Sequence, residues 1–467
     1  MYHINFDKPI KVHFIGIGGI SMSGLAELLH TIGFTVSGSD GKESQITKHL
    51  SSLGIKVMYG QRATNISDDL DLVVYTSAVK ESNEEYQEVL KRNIPIIDRA
   101  ELIGQVMLNY KEAIAISGTH GKTTTTSMIS LILLEANLDP TITVGGILKD
   151  IKGNLKIGAG DCFVTEACEY TNSFLKFNPT RAIILNVESD HLDFFKDLED
   201  IRHSFKAFTN RLPKQGLLII NGDIEELDYF TTNLPCDFVT YSVEQIEPVI
   251  SSAKKHYGAC NITYNEFGNG SYDLYENGTY LTKIELSVVG NHNISNSLPA
   301  IALALSLGID IETIKRALYS FKGTDRRFQY KGEIGGVTIV DDYAHHPTEV
   351  TATLTAAKNV NHNNLWCVFQ PHTYTRTKSF LKEFACSLSL ADKIILSDIY
   401  AAREVNTLEI SSNDLYEELL HLGKEVYYMK SFDEIENFLL QHCTNGDLLI
   451  TMGAGDIVTI GESLLGE

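Results

Sequence analysis

Short, nearly continuous apolar runs alternate along this chain with stretches whose apolar positions recur every three or four residues. The first pattern predicts buried strands and the second amphipathic helices. Strands are expected at residues 11–16, 34–40, 70–76 and 95–97, with a helix over 22–32. An apolar run at 113–117 leads into another apolar-periodic helix, and further strands are expected at 161–165 and 181–185. The last third repeats the pattern at 337–340, 365–369, 393–396 and 447–451. Runs covered on both faces suit parallel strands, and strand–helix alternation predicts parallel sheets with right-handed crossovers. Residues 237–290 differ. Short alternating runs and the pairs Asn269-Gly270 and Asn277-Gly278 predict an antiparallel excursion with hairpins, followed by a helix over 294–307.

The loops that close these strands carry the chemistry. Ser117-Gly118-Thr119-His120-Gly121-Lys122-Thr123 lies between strand and helix, where backbone N–H groups converge on phosphate. Lys122 suits the terminal phosphates and the Thr123 hydroxyl suits Mg²⁺. The usual phosphate-loop pattern wants glycine at position 116, and this chain has Ile116. An earlier loop, Gly16-Ile-Gly18-Gly19-Ile-Ser21-Met-Ser-Gly24 with Asp40 ending the next strand, is close to a dinucleotide fingerprint but has serine at its third glycine position. It is open to NAD, to a different diphosphate ligand, or to a tight turn with no ligand. Glu166 ends a buried strand and offers a hard oxygen for Mg²⁺, with Glu169 as a second candidate. Asn186-Val-Glu188-Ser-Asp190-His191-Leu-Asp193 gathers metal-competent groups after another strand, although a histidine there also suits a structural hydrogen bond. The amides of Gly290-Asn291-His292-Asn293-Ile-Ser-Asn296 suit an adenine edge or a helix N-cap. In Asp341-Asp342-Tyr343-Ala344-His345-His346-Pro347 the proline predicts a helix start, and Gln370-Pro-His372-Thr-Tyr-Thr-Arg376 suits an anion or a plain surface loop.

Composition narrows the classes. A length of 467 residues suggests about three domains at roughly 150 residues each. A hydrophobic fraction of 43% with 21% charged residues is that of a globular protein. The formal charge of −21 argues against non-specific nucleic-acid binding. No apolar window is long enough to span a membrane and the N-terminus lacks a signal-peptide layout, so a cytoplasmic location is expected. Seven cysteines without a Cys-x-x-Cys pair indicate neither a zinc site nor a disulfide framework.

Taken in order, residues 16–26, 118–124, 166–170, 189–193, 291–293 and 341–347 resemble the motifs of the Mur ligase family over essentially the whole chain, including the missing glycine at Ile116. The resemblance is strongest to members that add L-alanine to UDP-N-acetylmuramate. It implies an α/β protein of three domains: a Rossmann-like UDP-sugar domain at 1–109, a central P-loop ATPase domain with a mostly parallel sheet at 110–323, and a Rossmann-like C-terminal domain at 324–467 contacting adenine and amino acid. The implied reaction is ATP-dependent ligation through an acyl phosphate, in peptidoglycan precursor synthesis, by a monomer or homodimer. The implied catalytic residues are Lys122, His191, His120 and Glu166. ATP would be held by Gly118, Thr119, Gly121, Lys122, Thr123, Thr124, Asn293, Asn296, Arg327, Asp342 and Tyr343. The UDP-sugar would meet Gly16, Gly18, Gly19, Ser21, Ser39, Asp40, Ser77, Arg99 and His120. His345, His372 and Arg376 would form the amino-acid pocket; Thr123 and Glu166 would hold the Mg²⁺ shared with ATP and His191 a second Mg²⁺ near the acyl phosphate, with Mn²⁺ as a substitute. Three positions depart from the family pattern. Thr373 replaces a common arginine and Arg403 stands where glycine is frequent. Phe205 falls where several relatives carry a carbamylated lysine, with Lys206 one position later, so carbamylation is not expected. The rival readings are a sibling ligase that attaches a murein tripeptide, a nucleotide-binding protein without ligase activity, and an NAD-dependent oxidoreductase.

Overall fold

The computed structural model describes residues 2–76, 78–151, 153–402 and 404–466. Its strands form three sheets. The first contains β1 (Lys11–Ile15), β2 (Thr35–Asp40), β3 (Lys56–Tyr59), β4 (Leu72–Tyr75) and β5 (Ile96–Asp98), in the order β3-β2-β1-β4-β5 and all parallel. The order reverses at β1, so the crevice at its carboxyl end receives the Gly16–Gly19 loop.

The central sheet contains β6 (Glu112–Ser117), β7 (Thr141–Leu148), β8 (Gly153–Lys156), β9 (Cys162–Glu166), β10 (Arg181–Ile184), β11 (Leu217–Asn221), β12 (Asp237–Val243), β13 (Lys255–Tyr264), β14 (Asn269–Glu276) and β15 (Thr279–Val289). Its order is β15-β14-β13-β12-β11-β10-β6-β9-β7-β8, parallel from β13 through β7. β6 lies between β10 and β9, which places the loop after it at the sheet's switch point. The antiparallel excursion is narrower than its sequence suggests, because β12 pairs in parallel with both neighbours and only β13–β15 form hairpins. Asn277-Gly278 makes the β14–β15 turn, with positive φ at both residues. Asn269-Gly270 does not make a turn: it opens β14, and the turn before it comes at Gly268.

The third sheet contains β16 (Gln329–Ile334), β17 (Val337–Asp342), β18 (Leu365–Phe369), β19 (Lys393–Leu396), β20 (Glu425–Tyr428) and β21 (Leu448–Met452), in the order β16-β17-β21-β18-β19-β20, with β16 alone antiparallel.

The cores follow a different division from the sheets. One apolar cluster runs from Val12, Phe14 and Leu25 through Leu102 and Ile103 into Phe163, Phe174, Phe205 and Phe208 of the central sheet, fusing the first two units. Phe205 is wholly buried there, while the Lys206 ammonium donates to the carbonyls of Phe230 and Thr232. The third sheet has its own clusters on its two faces.

Candidate active site

The phosphate loop owes its shape to what surrounds it. β6 continues through Ile116, which pairs with Glu166 and Ile183 and is fully buried. Position 116 is therefore strand interior, and an apolar residue there serves better than glycine. The loop turns at Gly118 (φ +148°) and Gly121 (φ +82°). A Cβ on Gly118 would stand 2.9 Å from Leu185 Cβ, and one on Gly121 would stand 2.5 Å from Asn296 Oδ1. Asn186 braces the turn by accepting from His120 N at 2.8 Å and donating to His120 O at 3.2 Å. Thr119 Oγ1 accepts from Glu188 N at 2.9 Å. Helix Lys122–Glu135 follows, with Thr123 and Thr124 buried in its first turn.

Lys122 folds back over this loop. Its ammonium donates to the carbonyls of Gly118 and Thr119 and to Glu169 Oε2 at 3.1 Å. Burial opposes its charge, but Glu169 outweighs that and the pKa rises. Glu169 is 2% exposed, and among the described residues its Oε1 has no hydrogen-bond partner while lying 3.8 Å from His191 Nε2. His191 is held at φ +52°, with Asp190 Oδ2 also at 3.8 Å. Arg376 of the third unit donates to Asp190 Oδ1 at 2.8 and 3.2 Å. Burial alone would raise the Asp190 pKa, yet Arg376 holds it well below the usual carboxylate range. An unbroken series of contacts thus leads from Lys122 through Glu169 and His191 to Arg376.

Three cavities open around this series. One of about 260 Å³ lies between the first two units, lined by Ser21, Arg99, Gly145, Glu166 and Cys168. There Glu166 Oε1 accepts from Gly145 N at 2.6 Å, and Arg99 donates to Ser21 Oγ at 2.9 Å. A second, of about 190 Å³, is lined by Gly121, Thr124, Asn293, Asn296, Arg327 and Asp342. A third, of about 320 Å³, is lined by Asp190, His191, His372, Arg376 and Glu404. Burial lowers the pKa of His345 and of His372 to about 4, so both imidazoles are neutral near pH 7. His345 stands 5.6 Å from His372, ring to ring.

Several expected residues act through the backbone or through other side chains. Ser39 is fully buried with its hydroxyl on Glu85, and its carbonyl accepts from Gly16 N and Ile17 N at 2.9 Å. Asp40 accepts from Gly18 N at 2.8 Å, and a Cβ on Gly16 would stand 2.8 Å from Thr76 Cγ2. Gly19 begins helix Ile20–Thr31 as its N-cap. Asp342 accepts from Phe328 N and Ala344 N at 2.8 Å, and burial raises its pKa to about 6. Tyr343 lies beneath the guanidinium groups of Arg326 and Arg327, at 4.9 and 5.3 Å from the ring centre. The N-cap of helix Asn291–Ser306 is Gly290, not an asparagine; Asn293 donates to Val289 O at 2.8 Å. Pro347 does open a helix, capped by His346. Ser77 and Arg403 lie outside the described residues.

Glu349, Arg326 and Glu404 are the residues that the sequence patterns miss. Glu349 accepts from His120 Nδ1 at 3.0 Å. Arg326 ties Asp341 to the carbonyls of Gly453 and Gly455. Glu404 accepts from Tyr374 N and Thr375 N. His120, Glu188 and His346 bring potential metal-ligand atoms within 4.8 Å of one another. Because His346 already uses both ring nitrogens on Ser189 O and Thr348 N, the trio is a hydrogen-bonded cluster.

Comparison with known proteins gives one consistent result. Family models described as "Mur ligase family, catalytic domain", "Mur ligase middle domain" and "Mur ligase, glutamate ligase domain" match residues 11–111, 116–304 and 326–455. The chain is 61% identical over all 467 residues to a UDP-N-acetylmuramate–L-alanine ligase of Lachnoclostridium phytofermentans, covering 100% of both chains. It is 56% identical to that of Agathobacter rectalis, again covering 100% of both. The solved UDP-N-acetylmuramate-alanine ligase of Thermotoga maritima superposes with a TM-score of 0.80 at 30% identity over 98% of both chains. A murein peptide ligase of Psychrobacter arcticus gives 0.69 at 25% identity over 98% of both.

Proposed function

The chain belongs to the Mur ligase family, and from that premise we propose how its residues carry out the ATP-dependent ligation of L-alanine to the lactyl carboxylate of UDP-N-acetylmuramate, a step of peptidoglycan precursor synthesis. The observation that carries the reading is the contact series Lys122–Glu169–His191–Asp190–Arg376, which joins the phosphate loop to the third-unit cavity.

Residues 1–109 take the sugar nucleotide, with the Gly16–Gly19 loop and Ser21 facing its diphosphate. Arg99 and the 260 Å³ cavity receive the sugar end. Residues 110–323 take the ATP phosphates on the backbone N–H groups of 118–124. Asn293 and Asn296, with Arg327, Asp342 and Tyr343 of the unit 324–467, hold the base. Lys122 leaves Glu169 for the terminal phosphates and neutralises the charge as the lactyl carboxylate attacks the γ-phosphorus, the bridging P–O bond breaks and ADP departs. Phosphorylation turns a poor leaving group into a good one. L-alanine lies among His345, His372 and Arg376 with its carboxylate toward Arg376; its ammonium gives up one proton before the amine attacks the acyl carbon, and the tetrahedral intermediate loses a second proton from nitrogen as it collapses to amide and phosphate. Closure of the third unit excludes water from the acyl phosphate.

Thr123 and Glu166 would hold the Mg²⁺ or Mn²⁺ that accompanies ATP, and His191 a second ion near the acyl phosphate. The fit is supported by the hard oxygen donors and by the unpartnered buried Oε1 of Glu169 beside His191. The ions, when bound, supply neutralising charge to the phosphates. The described helices include none long and apolar enough to cross a membrane, and we place the enzyme in the cytoplasm as a monomer or homodimer.

The test is phosphate release from ATP with UDP-N-acetylmuramate, with and without L-alanine, then with a murein tripeptide. Release that requires L-alanine supports the reading, and release that needs tripeptide instead moves it to the sibling activity. Release indifferent to both would sink it.

A further inference from the structure

Glu349 sits at the third position of helix Pro347–Ala357, where a glutamate ordinarily caps a helix. Its carboxylate does more than that. Oε2 accepts from His345 N at 3.0 Å and stands 3.3 Å from His345 Nδ1. Oε1 accepts from Nδ1 of His120 on the phosphate loop at 3.0 Å and lies 4.0 Å from Arg327. One side chain therefore touches the phosphate loop, the adenine side and the amino-acid side. The other titratable groups facing His120 are Glu188, whose Oε2 stands 3.6 Å from His120 Nε2, and the His346 ring at 4.7 Å. His120 Nε2 is buried and, among the described residues, makes no hydrogen bond, and His120 lines the 190 Å³ cavity beside Gly121.

We propose that Glu349 is a positioning residue for phosphoryl transfer: by holding Nδ1–H of His120 across the domain seam, it fixes the ring so that Nε2–H, which faces Glu188 at the edge of the cavity, can turn its hydrogen bond to an anionic phosphate or acyl-phosphate oxygen that enters there, and does so only when the third unit is docked. The proposal rests on the ligase reading above. No bond is made or broken by either residue, and no proton need leave His120. A charge-assisted hydrogen bond in a buried site is strong enough to matter at the phosphate. The electrostatics agree with the geometry. Burial works against a cation at His120, yet Glu349 and Glu188 push its pKa up to about 9. Burial opposes ionisation of Glu349, yet His345, which becomes charged only near pH 4, and His120 hold its pKa well below the usual carboxylate range. His346 carries no competing charge near pH 7, because burial and the His120 cation lower its pKa.

The experiment compares the full-length wild type with Glu349→Gln and Glu349→Asp. Histidine-selective ¹³C labelling follows the His120 titration, assigned with His120→Asn, and kcat and KM for each substrate are measured against pH. In Glu349→Gln the His120 titration should fall by roughly 1–2 pH units. The alkaline limb of kcat should move down with it, and kcat at pH 8.5 should drop about tenfold or more. UDP-N-acetylmuramate affinity should stay within about twofold, and Glu349→Asp should recover much of the loss. An unshifted His120 titration in an active enzyme, or a loss of kcat equal at every pH, would reduce Glu349 to a helix cap and overturn the proposal. A wild-type chain with no L-alanine-dependent phosphate release would instead bring down the ligase reading, and the catalytic part of this proposal with it.

Discussion

The two seams between the three units are built from different materials. Between the first and second, the core is continuous, and the backbones press together where a Cβ on Gly104 would overlap the carbonyl oxygen of Lys176. Asn178 donates to Gly104 O at 2.9 Å, and Lys176 pairs with Asp98. Between the second and third no core is shared among the described residues, and beside the close packing of Gly290 on Ala356 the joining side-chain contacts are polar: His120 with Glu349, Asp190 with Arg376, Glu188 with Thr348, and His346 with Ser189 O. A fused apolar core resists separation because opening it exposes apolar surface. A polar seam can exchange its partners for water, so it is the seam at which the site can open to ATP and L-alanine and close again. The chemistry-bearing residues Lys122, His191 and Arg376 collect there.

The largest effect should come from breaking the fused seam. Gly104→Val forces a side chain into the Lys176 backbone, and we expect a loss of about 3 kcal/mol or more in denaturant unfolding. The first two units should still unfold together; separate transitions would show that their cores are independent. Next, Arg376→Met leaves Asp190 buried without its partner, a change costing roughly 3–5 kcal/mol where it cannot be relieved. Since a seam can open to relieve it, the expected readout is a raised KM for L-alanine with a nearly unchanged unfolding midpoint of the first two units. An unchanged KM would remove Arg376 from the amino-acid pocket.

pH tests the polar seam alone. The folded pKa of His120, about 9, is raised above its ordinary value, so its contribution to docking is fully present below about pH 6.5 and is lost as pH rises through 9. Limited proteolysis between the second and third units should quicken above pH 9, and His120→Asn should abolish that dependence. The smallest effect is expected from Thr348→Val. Its hydroxyl donates to Glu188 Oε2 at 2.7 Å at an exposed rim, and its removal should cost at most about 1 kcal/mol in stability and little in kcat.

Much of this arrangement is legible in the sequence because parallel strands buried on both faces are written as apolar runs. Glycines at 118 and 121 and the strand-end carboxylate Glu166 announce a phosphate site in the same way. Weakly patterned edges are not legible. Lys56–Tyr59 and Glu425–Tyr428 are short edge strands, and Gly145-Gly146 inside β7 reads as a turn. Leu217–Asn221 is apolar but too short for periodicity to separate strand from buried helix. Glu349 is hidden for another reason. Its partner His120 is 229 positions away, and its local context offers the ordinary account of a helix-capping glutamate. Ser39 shows the converse: it ends a strand at the expected crevice, yet its side chain turns inward to Glu85 and leaves its carbonyl to shape the loop.

Amide hydrogen exchange, with and without ATP analogue and UDP-N-acetylmuramate, tests the contrast between the seams most directly. Peptides covering 102–107 and 204–209, in the fused core, should be equally protected in all states, whereas those covering 343–350 and 372–380 should gain protection only when both ligands are present. Ligand-dependent protection at the first seam, with none at the second, would contradict the account.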